Sequence, residues 1–182
     1  RLGRPHPEPT MRACHAAKLL GIVLLLPASL GAQQAPASCD DDARRASFDF
    51  WVGRWTVTNP AGGTVGRSSI ERVASGCAIL ETWSAANGRE GRSLNFFDAA
   101  TDSWHQVWIG GDGVALRLEG GSDRPGRMIL TGGPRETPNG TVRDRITWTL
   151  QDDGTVEQLW DISTDGGSTW QTGFRGIYRP AE

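Results

Sequence analysis

Glutamate or glutamine occurs two positions before a tryptophan at three places in this sequence, in the pairs Glu81 and Trp83, Gln106 and Trp108, and Gln158 and Trp160. Residues two positions apart point to the same side of a β-strand, so each pair would share one face. An unpaired amide or carboxylate is costly to bury, and these groups should therefore bond to one another, to trapped water or to a ligand. The pattern indicates an apolar pocket with a few converging polar groups, the usual form of a small-molecule site.

The predicted function is binding of a small hydrophobic or amphipathic molecule in this pocket. The candidate lining combines tryptophans with polar side chains, namely Trp83, Trp108, Trp148 and Trp160 with Glu81, Asn95, Gln106 and Gln158. In an alternative interpretation the aromatic residues fill a packed core and the amides satisfy one another. The protein would then be a protein-interaction module that uses its outer surface.

A further alternative is a barrel enzyme that depends on Glu81. Burial beside Trp83 would raise the pKa of this carboxyl group and suit it to general acid or base catalysis. Arg145 could neutralise Glu81 only if a bulge turned it inward, because strand alternation places Arg145 opposite Ile146 and therefore outside. We predict no other catalytic residue.

His105 is the only histidine after residue 15. Ser103 shares its strand face but lies about 7 Å away along a strand, which we expect to exclude a direct hydrogen bond. The sequence also lacks the Cys and His spacing of a zinc site. We therefore predict no metal and no cofactor.

The charge of the chain limits the classes of partner. Residues 1–32 contain four of the 19 basic groups and one of the 21 acidic groups, which leaves 15 basic and 20 acidic groups in the remainder. This negative balance argues against nucleic acid as a partner, because phosphate binding requires clustered positive charge. Lys18 is the only lysine, so the remainder of the chain offers none for Schiff-base or P-loop chemistry.

The first part of the chain has the layout of an export signal. Residues 1–10 precede Met11 and are interpreted as upstream read-through. Residues 11–32 contain a basic start, a short apolar run and small residues that end at Ala32. The apolar run is shorter than the roughly 20 residues of a stable membrane span. We expect cleavage near Ala32 and a periplasmic or extracellular location.

Cys39 and Cys77 are the cysteines that remain after this leader. An even number of cysteines in an oxidising compartment predicts a disulfide. The bond would close a loop of about 38 residues and stabilise the fold by roughly 3–4 kcal/mol in the loop-entropy account.

The elements that must position these residues are short strands. Acidic residues at 40–42 suit the start of a short helix within a linker over 33–46, and alternation of period two begins near Trp51. The predicted strands cover residues 51–59, 66–74, 78–85, 92–98, 103–109, 114–120, 127–131, 141–150, 155–164 and 169–179. Glycine and Asn/Asp turns separate them. The fold class is therefore all-β, an up-and-down antiparallel β-barrel of about ten strands over residues 47–182.

Some assignments within these strands stay open. In the fourth strand, either the face with Ser93 and Asn95 or the face with Leu94 could point inward. Asn139 begins an N-glycosylation pattern, but Asn-Gly is also a strong hairpin signal, and we prefer the hairpin. Residues 163–170 match an Asp-box, which we also interpret as a single hairpin.

Several motifs in combination resemble a family of secreted bacterial proteins of unknown function, the DUF1579-like group. They are the runs Phe48-Asp49-Phe50-Trp51-Val52-Gly53-Arg54-Trp55, Ile70-Glu71-Arg72, Gly76-Cys77-Ala78-Ile79-Leu80-Glu81, Ser93-Leu94-Asn95-Phe96-Phe97-Asp98, Trp104-His105-Gln106-Val107-Trp108, Arg145-Ile146-Thr147-Trp148 and Asp165-Gly166-Gly167. The resemblance covers residues 47–179 and implies a calycin-like barrel without an established activity. Gly53-Arg54-Trp55 is similar to the G-x-W of lipocalins, in which a short helix caps the barrel. Related haem barrels use a late histidine that this chain lacks, so haem is not predicted.

Overall fold

The computed structural model of the protein describes Cys39 and residues 42–181. The predicted upstream segment 1–10, the predicted signal peptide 11–32 and the start of the predicted linker lie outside the described residues. Within the described residues, no helix is long and apolar enough to cross a membrane.

One short helix precedes a series of strands. Helix α1 (Ala43–Ala46) begins after Asp42, whose side chain accepts a hydrogen bond from the backbone N–H of Arg44. A 3-10 turn over Asp49–Trp51 follows. The strands are β1 (Gly53–Thr58), β2 (Thr64–Val73), β3 (Ala78–Ala85), β4 (Glu90–Asp98), β5 (Ser103–Gly110), β6 (Ala115–Arg124), β7 (Arg127–Gly132), β8 (Arg135–Thr137), β9 (Gly140–Leu150), β10 (Val156–Ser163) and β11 (Gln171–Pro180).

Ten of these strands form a closed antiparallel barrel. Consecutive strands pair from β1 to β7, β7 pairs with β9, and β9, β10, β11 and β1 complete the ring. The three-residue strand β8 was not predicted, and it pairs with β9 alone. The structure confirms the predicted up-and-down barrel of about ten strands with a short N-terminal helix.

Because every connection is an antiparallel hairpin, successive turns alternate between the two ends of the barrel. One end, which we call the closed end, carries α1 and the turns at residues 74–77, 99–102, 125–126 and 151–155. The other, the open end, carries the turns at residues 59–63, 86–89, 111–114 and 164–170 and the β8–β9 hairpin. The predicted hairpins at Asn139-Gly140 and over residues 163–170 are both present at the open end.

Aromatic side chains fill the closed end. Phe48 and Trp51 are fully buried and stack with ring centroids 5.0 Å apart. Trp148 contacts both rings, with centroid distances of 5.1 and 5.2 Å. The segment before β1 therefore plugs the closed end of the barrel. Because this segment includes a 3-10 turn, the first strand begins at Gly53 and not at residue 51 as predicted.

Gly53 is required at the junction between this plug and the first strand. Its φ of 151° lies in a region that side chains with a Cβ rarely adopt. Two residues later, the indole N–H of Trp55 donates a hydrogen bond of 3.0 Å to the carbonyl oxygen of Trp51. The glycine and the tryptophan of the G-x-W motif together fix the plug against β1.

The predicted disulfide between Cys39 and Cys77 is present, with Cα atoms 4.9 Å apart. It attaches the segment before α1 to the turn between β2 and β3. An ion pair between Arg72 and Asp49 supports the same end of the barrel. The closed end is thus stabilised by the disulfide, by an ion pair and by aromatic contacts.

Candidate functional site

A cavity of about 120 Å³, which we call the inner cavity, lies inside the barrel above the aromatic plug. Its lining residues are Glu81, Trp83, Gln106, Trp108, Leu116, Ile146, Gln158, Trp160, Phe174 and Tyr178. Six of the eight candidate ligand-binding residues are among them. The other two do not line the cavity: Asn95 bonds to the lining residue Gln106, and Trp148 packs into the plug.

Glu81 is buried on the inner face of β3, with 4% of its surface exposed. The hydroxyl of Ser68 donates to its Oε1 at 3.0 Å, and the hydroxyl of Ser93 donates to its Oε2 at 2.9 Å. Burial raises the pKa of the Glu81 carboxyl group to about 7, although the two serine hydrogen bonds oppose this change. The carboxyl group therefore carries partial charge near neutral pH without a cationic partner among the lining residues.

A chain of amide hydrogen bonds continues from this carboxyl group. The Asn95 side chain donates through Nδ2 to the Ile79 carbonyl oxygen at 3.2 Å and to Ser93 Oγ at 3.0 Å. Its Oδ1 accepts a hydrogen bond of 2.7 Å from Gln106 Nε2. A backbone carbonyl can only accept, so the Ile79 contact fixes the orientation of Asn95 and, through it, that of Gln106.

This orientation leaves Gln106 Oε1 as a buried acceptor. Gln106 is 2% exposed, and its Oε1 has no hydrogen-bond partner among the described residues. A buried polar atom without a partner is unfavourable by roughly 1–3 kcal/mol. Gln106 also lines the inner cavity, so this buried oxygen belongs to a residue that a ligand in the cavity would contact.

Tyr178 and Gln158 form a second polar pair at the cavity wall, in which the Tyr178 hydroxyl donates to Gln158 Oε1. Burial, and then the nearby charge of Glu81, raise the pKa of Tyr178 well above its usual value. The Tyr178 phenol therefore stays protonated and donates its hydrogen bond at neutral pH. Glu81 is then the lining residue that can carry a negative charge.

Three tryptophans separate the inner cavity from a second depression at the open end, the vestibule. Trp83, Trp108 and Trp160 line both spaces. The vestibule measures about 280 Å³ and is also lined by Ala85, Asn87, Arg89, Glu90, Gly110, Gly111, Asp112 and Val114. We call the three tryptophans the gate.

Inward-facing glycines make room for the gate rings. A Cβ atom added to Gly66 would lie 2.6 Å from the Trp83 ring, and one added to Gly91 would overlap with the Trp108 ring. The alternation that brings Gly91 inward also brings Ser93 inward and leaves Leu94 exposed. The open question about β4 is thereby decided in favour of its serine face.

Trp160 is held by an ion pair of two residues, Asp144 and Arg135, that were not predicted as site residues. Its indole N–H donates to Asp144 Oδ1 at 2.9 Å. Arg135 donates through Nε and Nη2 to the two Asp144 oxygens at 2.9 and 3.1 Å. Asp144 is two residues before the inward-facing Ile146 and shares its face, which could have revealed it, but the unpredicted strand β8 supplies the arginine.

Arg145 lies on the outer face, as alternation predicted, and donates to Asp161 at 2.9 Å. Its guanidinium group stacks on Trp170, 4.2 Å from the ring centroid. It therefore does not neutralise Glu81. Trp170 is outside because the pairing of β10 with β11 shifts between Trp160 and Asp161, and this bulge reverses the faces along β11.

The expected separation of Ser103 and His105 was wrong. Their side chains lean together on the outer face of β5, with 3.0 Å between Ser103 Oγ and His105 Nε2. Glu119 accepts a hydrogen bond of 3.2 Å from Ser103. The acid thus contacts the serine instead of orienting the histidine, which differs from a catalytic triad. Across Cys39 and residues 42–181, no group of three metal-ligating side chains occurs.

Comparison with protein-family models and with curated proteins gives no match for this chain. The resemblance to the DUF1579-like group stays a prediction.

Proposed function

We propose that this protein binds a small, largely apolar molecule with a polar group inside the open end of its barrel. The observation that carries the proposal is the inner cavity, whose free volume is lined by tryptophan rings and by the buried polar side chains of Glu81 and Gln106. Free volume with aromatic walls and a few polar groups is typical of a ligand site.

The volumes limit the size of the ligand. An apolar cavity of about 150 Å³ is known to accept benzene, and the inner cavity measures about 120 Å³. The part of the ligand beyond the gate should therefore be no larger than a single ring or a short branched chain. A longer ligand would extend between the gate tryptophans into the vestibule.

The packed-core alternative has less support. At the closed end, Phe48 and Trp51 are fully buried and pack against Trp148, whereas free volume remains between the residues that line the inner cavity. On the outer surface of the described residues, exposed large apolar side chains include Leu94, Ile109 and Leu150. Exposed apolar residues are common on protein surfaces and do not by themselves indicate a partner.

A second candidate function is proton transfer by Glu81 to a substrate in the cavity. A carboxyl group with a pKa of about 7 suits general acid or base catalysis at neutral pH. Ser68 and Ser93 contact Glu81 but are not part of the cavity lining, so neither serves as a nucleophile here. Turnover of a cavity-sized substrate with a midpoint near pH 7, lost in Glu81→Gln, would favour this candidate.

We also propose that the protein acts outside the cytoplasm. The layout of residues 11–32 supports export, and a disulfide persists best in an oxidising compartment. Mass spectrometry of the protein recovered from the periplasm or medium should give a new N-terminus near Gln33. An intact leader on all recovered protein would contradict this.

Ligand binding is tested by intrinsic tryptophan fluorescence of the full chain during titration with benzyl alcohol, benzylamine and benzoate. Saturable quenching or a spectral shift is expected with at least one probe. Leu116→Phe, which fills the inner cavity, should remove the response. Trp170→Ala, at the outer face, should keep it. Absence of a response to all three probes in the folded protein would refute the proposal.

A further inference from the structure

We infer that the inner cavity selects a compact organic cation, namely a protonated amine on a ring-sized apolar group. The inference rests on the proposed function and specifies the ligand class of the same site. Three independent features point to it: the aromatic walls, the carboxyl group without a cationic partner, and the unpaired acceptor.

The walls of the inner cavity have the composition of an aromatic cage. Trp83, Trp108, Trp160, Phe174 and Tyr178 all line it, and they come from four different strands. The Trp83 and Phe174 rings meet edge to face, with centroids 6.5 Å apart. Aromatic faces are electron-rich and attract a desolvated cation, and such cages recognise ammonium groups.

Glu81 supplies a negative group that lacks a cationic partner. Its recorded hydrogen bonds come from the neutral hydroxyls of Ser68 and Ser93, and the lining contains no arginine, lysine or histidine. Arg135 and Arg145 are each paired with another acid: Arg135 bonds to Asp144, and Arg145 bonds to Asp161. A cationic ligand would therefore be the first full charge to compensate this carboxylate.

Gln106, another lining residue of this cavity, carries a buried acceptor, Oε1, without a partner among the described residues. An ammonium group has several N–H donors and no acceptor, so it can serve Glu81 and Gln106 together. A carboxylate ligand has acceptors alone and would be repelled by Glu81 and unpaired at Gln106. A neutral alcohol has one donor and no charge, and it should bind with intermediate affinity.

Competition between the ligand and a proton for Glu81 gives a second signature. The other titratable lining residue is Tyr178 on β11, while β5, β6, β9 and β10 contribute uncharged side chains. Affinity for an amine that stays protonated between pH 6 and pH 8 should therefore fall as the pH decreases below about 7, because the proton occupies Glu81. Affinity for a neutral alcohol should change little over the same range.

The test is isothermal titration calorimetry of the full chain with benzylamine, benzyl alcohol and benzoate at pH 6 and pH 8. These probes share one ring and differ in charge. At pH 8 we expect benzylamine to bind about tenfold or more tightly than benzyl alcohol, and benzoate to bind weakest. At pH 6 the amine should bind more weakly and release a proton, seen as a dependence of the heat on the buffer.

In Glu81→Gln the preference for the amine should be lost, so that the affinities for benzylamine and benzyl alcohol lie within about threefold of each other. If this variant fails to fold, the pH series on the natural chain remains decisive. Equal binding of the alcohol and the amine would overturn the cation inference and leave the proposed function standing. Strongest binding of benzoate would do the same, and binding of no probe would overturn both.

Discussion

Replacement of the buried carboxyl group of Glu81 by an amide, Glu81→Gln, should change how the stability of the barrel depends on pH. In the unfolded chain the carboxyl group titrates near its ordinary pKa of 4.5, and burial raises the pKa to about 7 in the folded protein. Between these values the folded state binds more protons than the unfolded state. Stability therefore falls as the pH rises through this window.

The magnitude follows from the same two pKa values. At about 1.4 kcal/mol for each pH unit between 4.5 and 7, ionisation of Glu81 lowers the free energy of unfolding by roughly 3 kcal/mol. The glutamine variant has no such group. Its stability relative to the natural chain should thus rise by roughly this amount between pH 4 and pH 8.

The assay is urea denaturation of both chains at closely spaced pH values, with the slope m compared to exclude changes in the unfolded state. Taking the difference between the two chains cancels contributions from groups that they share. Glu71→Gln, at an exposed position of β2, is the matched control and should follow the natural chain. Parallel stability curves for Glu81→Gln and the natural chain would refute the assignment of an uncompensated buried carboxyl group.

Other predictions concern the gate and the closed end. Gly91→Ala should displace the Trp108 ring and weaken binding of benzyl alcohol at least tenfold. Gly121→Ala, which has free space around the added Cβ, should not change the affinity. Equal affinities of the two variants would contradict a role of Trp108 in ligand entry. Trp51→Ala should lower the free energy of unfolding by about 3–5 kcal/mol in urea denaturation, and a loss below about 1 kcal/mol would show that the plug is dispensable. Reduction of the disulfide should lower it by roughly 3–4 kcal/mol, and an unchanged midpoint in urea would contradict this role.

Much of the fold follows from local sequence signals. Alternation of period two and turns rich in glycine and Asn/Asp are local signals, and together they predict the barrel. The capping segment before Gly53 was indicated by the similarity of Gly53-Arg54-Trp55 to the lipocalin motif. The disulfide follows from the cysteine count and the expected compartment. The short strand β8 was not predicted, because three residues are too few to show alternation.

The site was predicted in part, because alternation identifies a face but not a height along the barrel. Glu81 and Trp148 both face inward, yet Glu81 lines the cavity and Trp148 packs into the plug. Phe174 and Tyr178 also line the cavity but were not among the predicted site residues. The bulge between β10 and β11, which places Trp170 outside, arises from strand pairing that is not encoded locally.

Side-chain reach is a further limit of sequence reasoning. The spacing along a strand suggested that Ser103 and His105 are too far apart, but a histidine ring can lean along the strand toward its neighbour. Similarly, Asp144 and Arg135 come from different strands and meet only in the folded barrel. Their contact with Trp160 shows that the gate is positioned by tertiary structure.

A ligand should enter the inner cavity through the tryptophan gate. Two-dimensional ¹H–¹⁵N NMR of the full chain during titration with benzylamine and benzyl alcohol tests this entry route. Saturable shifts of the indole N–H signals of Trp83, Trp108 and Trp160 and of the Gln106 side-chain amide are expected, with Trp170 unchanged. Unperturbed gate signals at saturating concentrations of both probes, or shifts confined to Trp170, would contradict the account.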